Sequence, residues 1–153
     1  MEDLFHRLGL FMLLAGFILG LGAVTVIDLH GFLARKSLYW TEATIRTHKV
    51  TKPLIWVGIF LSLAGAALFY WGNVYSVIIP IQFFISVLLI MNGCFLSFYV
   101  SPYLLHKEKH EKNLTLLPDA LQYKIIASFI VSFLGWWGNV LLLTYYITAV
   151  FTN

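Results

Sequence analysis

The run LGLFMLLAGFILGLGAVTVI, residues 8–27, decides the fold class. It holds twenty residues without one charge, the length a helix needs to cross the hydrocarbon core of a bilayer, about 20 residues at 1.5 Å each. Three more apolar stretches follow, from about Pro53 to Trp71, Val77 to Tyr103 and Ile125 to Phe151. With the first span carried on to Arg35, the spans read as about 8–35, 53–71, 77–103 and 125–151 of a single membrane domain. Lipid offers no partner for backbone polar groups, and segments this long do not suit barrel strands. The expected fold is all-α: an antiparallel bundle of four transmembrane helices.

Composition points the same way. The 153 residues are 60% hydrophobic and 11% charged, with a mean hydropathy of +0.85. Soluble domains carry roughly 25% charged residues, and so small a chain has too much surface to bury this apolar content against itself. The excess is expected to face membrane lipids. The net charge of +3 does not indicate nucleic acid, because the basic residues sit in loops beside apolar runs. The acidic start Met1-Glu2-Asp3 and the length of the first apolar stretch argue for a retained helix over a cleaved signal peptide.

Orientation follows from the cations. Of the ten Lys and Arg, Arg7 stands alone on one side. Arg35, Lys36, Arg46, Lys49, Lys52, Lys107, Lys109, Lys112 and Lys124 share the other. The basic loops are therefore expected in the cytoplasm of a bacterial inner (plasma) membrane, with both termini periplasmic. Residues 72–76 read as a tight outside turn that makes spans two and three neighbours. Thr41 with Glu42 reads as a helix start leading to a kink at Pro53. Pro118-Asp119 reads as the first turn of the last helix.

Small residues recur at four-residue spacing: Gly16 and Gly20 in span one, Gly58 and Ser62 in span two, then Gly65. Such faces let helices approach closely. They suit packing within the bundle, or a homo-oligomer through spans one and two. Cys94 reads as a small buried hydrophobe. Asn92 and Asn139 lie deep in spans three and four, where an amide needs a partner. An interhelical hydrogen bond and a polar pocket both meet that need.

The most informative polar group is Asp28 with His30. Asp28 lies about 10 Å of helix rise inside Arg35-Lys36, a costly depth for a carboxyl. If the chain reverses near Leu38-Tyr39, Asp28 faces Lys49 and Val50, and His30 faces Thr47 and His48. Arg46 and Lys52 lie one turn to either side, and His106 and His110 arrive at the same level from span three. A polar cluster of Asp28, His30, Arg46, His48, Lys49 and Lys52 is thus expected at the cytoplasmic mouth. Three uses compete: an ion-pair clamp from Asp28 to Lys49 or Arg46, a site for an anion, lipid headgroup or partner, and metal or haem ligation by His30 and His48. The sequence contains no serine-hydrolase elbow, zinc-protease pair, phosphate loop or dinucleotide turn, so no catalytic residue or confident metal site is assigned.

The stretch from Gly20 to Asp28, the Thr41-Glu42-Ala43 helix start, Ile55-Trp56, Asn92-Gly93, Pro102 and Trp136-Trp137 resembles small bacterial four-helix membrane proteins without an assigned activity. These are distantly similar to the HemJ-type protoporphyrinogen oxidases and the CopD-like copper-resistance domain. The resemblance implies a haem- or porphyrin-linked redox role, with haem b as cofactor and His30, His48 or His6 as ligands. Those families carry a histidine within the first span. The comparable level here, near Leu13, is apolar, so His6 would serve only with a shifted alignment. A small transporter and an accessory subunit of a larger membrane complex complete the functional expectations.

Overall fold

The structure is a computed structural model. It describes residues 2–34, 37–72, 77–111 and 118–152, with side chains except at 2–3, 40–41, 107–111 and 150–152. The tight turn expected at 73–76, the pair Arg35-Lys36 and the loop at 112–117 lie outside the described residues, as does the side chain of His110.

The described residues form an all-helical chain with four helices long and apolar enough to cross a membrane: Leu4–Ala34, Glu42–Phe69, Ile78–His106 and Asp119–Ala149. Large apolar side chains point outward from each, including Ile18 (73% exposed), Phe60 (70%), Phe83 (66%) and Leu134 (63%). A coat of this kind on every helix suits lipid rather than water, and the chain is a multi-pass membrane protein by length, composition and surface.

Helix α1 spans Glu2–Ala34 and α2 spans Leu38–Phe69. Ser37 has the extended backbone of an N-cap. Helix α2 therefore begins before Thr41 and continues as one helix through Pro53. It ends where the Tyr70 N–H meets the Ala66 carbonyl and Gly72 takes a φ of +84°, a conformation glycine adopts without Cβ strain. The third span comprises α3 (Ile78–Phe95), a π-helical turn (Leu96–Val100) and α4 (Ser101–Glu111). The fourth is α5, Asp119–Thr152. The Pro118 carbonyl accepts the first hydrogen bonds of α5, from Leu121 and Gln122, and Asp119 lies in its first turn.

Helices α1 and α2 pack most intimately. A Cβ added to Gly65 would fall within 3.0 Å of backbone atoms of Leu13 and Gly9, and one on Gly58 within 3.0 Å of backbone atoms of Gly16 and Gly20. The small faces of spans one and two are thus occupied by each other within the chain. Helix α5 closes on α1 through Trp136, whose ring covers Gly20 and meets Phe17 edge-on at 6.2 Å. Helix α3 lies along α5, with Leu89 against Gly135. The hydrogen-bonded pair Asn92–Ser128 joins these two helices, with Asn92 Nδ2 also donating to Ser132 Oγ at 2.8 Å. Helices α2 and α3 touch sparsely. Side chains such as Trp56 and Ile59 bridge toward Gly93 where the backbones stay apart.

Candidate functional site: a polar cavity among the helices

Thr44, His48, Lys52 and Trp56 recur every four residues on α2, so they stack on one helix face. That face looks across the sparse α2–α3 boundary toward Leu89, Gly93 and Ser97, which are spaced in the same way on the third span. Asp28 comes in from α1. Together with Ser132 and Trp136 of α5 these residues line a cavity of about 70 Å³.

The third span is shaped to meet Lys52. Pro102 has no N–H to donate. The Ser101 N–H goes to the Leu96 carbonyl, five residues back, as a π-turn requires. The Ser97 carbonyl would take its helical donor from Ser101 or, in π geometry, from residue 102. Neither supplies one. Lys52 Nζ donates to that carbonyl at 3.2 Å, and Trp56 Nε1 donates to Ser97 Oγ at 3.0 Å. Short π-turns often mark functional positions for this reason: they release backbone polar groups.

Two other polar atoms in the cavity are not so provided for. Asp28 Oδ2 and His48 Nε2 are both buried and have no hydrogen-bond partner among the described residues. The Asp28 side chain makes no ion pair with Lys49 or Arg46 among them. Arg46 pairs with Glu42, one turn away on its own helix. Lys49 is exposed, one residue and thus about 100° around the helix from His48. His30 bonds the Val26 carbonyl through Nδ1 at 2.7 Å and does not line the cavity. His6 sits near the other end of α1, edge-on to Phe69 at 6.4 Å. It lies about 36 Å of helix rise from His30. His106 is exposed.

Of the expected cluster, Asp28, His48 and Lys52 therefore converge, whereas His30, Arg46 and Lys49 do not. Thr44, Trp56 and Ser97 join the site unforeseen. The four-residue ladder from Thr44 to Trp56 was a readable signal for the first two, and Pro102 was one for Ser97. The deep amides separate as well. Asn92 is satisfied by Ser128 and Ser132. Asn139 accepts from Gln82 through its backbone carbonyl at 3.0 Å, but its side-chain Oδ1 is buried without a partner among the described residues.

Of the three histidines considered for haem, His48 alone lines this cavity. Sites that take small-molecule ligands hold roughly 300–1,000 Å³, against about 70 Å³ for this cavity. No group of three or more His, Cys, Asp or Glu side chains that could hold a metal ion occurs among the described residues. The space is large enough for water or a solute of a few heavy atoms. The residues around it include a carboxyl, an imidazole and an ammonium group, those of Asp28, His48 and Lys52. No protein-family model, curated protein or solved structure matches the chain.

Proposed function

We propose that the protein binds a small, hydrogen-bonding solute within the membrane, in the cavity lined by Asp28, His48 and Lys52. The observation that carries this reading is that two residues with a buried, unpartnered atom, Asp28 (Oδ2) and His48 (Nε2), both line one space. A purely structural polar cluster satisfies its own donors and acceptors, and an exception asks for a ligand or water. The charge balance narrows the guest. An anion would meet the carboxyl of Asp28, while a metal cation would meet the ammonium of Lys52. A neutral solute offering both donors and acceptors conflicts with neither.

The reading includes an orientation. The helices are antiparallel, the basic loops lie in the cytoplasm of a bacterial inner membrane, and both termini are outside. The distribution of Lys and Arg supports this, as does the order of α1–α2 partners, in which Gly9 meets Gly65 and Gly20 meets Gly58. The cavity then lies toward the cytoplasmic side. The test is an NMR titration of protein in lipid nanodiscs with isotope-labelled histidine, using urea, formamide and acetamide. Saturable shifts of the His48 imidazole that vanish in Asp28→Leu are expected. An unmoved His48 signal with all three, together with a loss of stability in Asp28→Leu, would make the cluster a brace and not a site.

A further inference from the structure

A second and larger space lies toward the opposite end of the bundle. It holds about 540 Å³ between the C-terminal half of α2 and the N-terminal half of α3, backed by Leu13 and Phe17 of α1. That volume falls within the range of sites that take small-molecule ligands, roughly 300–1,000 Å³. Its wall is held by a relay across three helices: the Tyr70 hydroxyl donates to Gln82 Oε1, and Gln82 Nε2 donates to the Asn139 carbonyl.

The polar groups on that wall are unevenly matched. Ser62 Oγ donates to Gly58 O, and Ser86 Oγ donates to Gln82 O, so each hydroxyl proton is engaged within its own helix. Asn139 is 2% exposed and its Oδ1 has no partner among the described residues. Asn139, one of the lining residues, thus carries an unmatched acceptor, Oδ1, at the wall of an apolar space without a charged side chain. A buried acceptor left unmatched is costly. Its complement is an apolar body bearing one neutral hydroxyl, a group that serves the amide of Asn139 in either of its orientations.

We infer that the cavity between α2 and α3, with Asn139 in its wall, binds a neutral amphiphile that carries a hydroxyl group. The guest enters from the lipid through the sparse α2–α3 boundary, its chain against Phe83 and Ala66 and its hydroxyl on Asn139. This site shares no lining residue with the Asp28 cavity, and the inference does not depend on the function proposed above.

The probe is ω-bromoundecanol, whose bromine quenches tryptophan fluorescence; Trp71 borders the cavity. Its methyl ether and the bromoalkane serve as comparisons, all three added to the full-length protein in nanodiscs. The alcohol should quench saturably, with at least about tenfold higher affinity than the ether. That is the ratio expected when about 1.4 kcal/mol separates a matched acceptor from an unmatched one. Trp71→Phe should remove the saturable part, and Ala66→Phe, which fills the space, should abolish binding. Equal affinities for alcohol and ether would overturn the inference. So would quenching that never saturates, the behaviour of simple partition into lipid, and so would persistence of saturable quenching in a folded Ala66→Phe protein. The alcohol–ether comparison uses the unaltered chain and decides the matter if that variant fails to fold.

Discussion

In Asp28→Leu the carboxyl gives way to an apolar group of similar size. The direction of the stability change separates a binding site from a brace. Asp28 Oδ2 is buried without a partner among the described residues, and a buried polar group in that state costs about 1–3 kcal/mol. Leucine removes the cost and packs against Val24 and Ile27 in the same wall. Lys52 keeps its bond to the Ser97 carbonyl at 3.2 Å. The balance is a gain of about 1 kcal/mol or more, equivalent to roughly 2–4 °C in melting temperature for a chain of this size. Equilibrium unfolding by SDS titration in mixed micelles, followed by far-UV circular dichroism, reads it directly. A double-mutant cycle adds a second check. With Lys49→Met the effects should add to within about 0.5 kcal/mol, because Lys49 points away from the cavity. With His48→Leu they should fail to add, by about 0.5–3 kcal/mol, because both side chains line one cavity. Destabilisation of about 3–5 kcal/mol in Asp28→Leu, as when one member of a buried ion pair is removed, would refute the reasoning. It would show that Asp28 clamps a cation.

Other consequences follow from the packing. Pro102→Ala returns an N–H to the third span and lets the π-turn close. The Ser97 carbonyl then gains a helical donor, and Lys52→Met should cost about 1 kcal/mol less in this background than in the parent chain, measured by the same unfolding cycle. A Cβ at Gly65 meets the backbone of α1, whereas one at Gly22 meets nothing within 4 Å. Gly65→Ala should therefore destabilise by about 1–3 kcal/mol, while Gly22→Ala should be neutral or slightly stabilising; SDS midpoints compare the two. Asn92→Leu removes the bonds to Ser128 and Ser132 and should cost about 0.6–2 kcal/mol. Adding Ser128→Ala to it should cost little more.

The helical class was legible because a bilayer demands long uncharged runs, and the run from Leu8 to Ile27 meets that demand by itself. A chain reversal near Leu38-Tyr39 puts Asp28 at the height of Lys49 and Val50, and Asp28 lines one cavity with His48 and Lys52. Which neighbour faces inward depends on helical phase, and one residue is worth about 100°. The difference between Lys49, exposed on the outside, and His48, 9% exposed in the cavity, lies below the resolution of a height argument. The face could have been found from the ladder Thr44, His48, Lys52 and Trp56, because lipid would not accept such a row. The larger cavity had no comparable signal. Asn139 marked a polar point, but the empty volume beside it depends on how far apart α2 and α3 stand, and that is set by packing elsewhere in the bundle.

That packing has a direction. Gly9, Gly16, Gly20, Gly58 and Gly65 draw α1 and α2 to backbone contact, and α5 locks onto α1 through Trp136. Helix α3 follows α5 through the clamp between Asn92 and Ser128. Among the described residues nothing equivalent draws α3 to α2, although the two are consecutive along the chain. Their boundary is filled by long side chains and polar bridges: Lys52 and Trp56 to Ser97 at one level, Tyr70 to Gln82 at another. Both cavities occur along this boundary, one with Asp28 and Lys52 in its wall and one without a charged side chain. The glycine seam therefore has a consequence beyond stability. By giving the closest approach to α1 and α2 it leaves the opposite side of α2 loosely backed, and both proposed sites lie on that side.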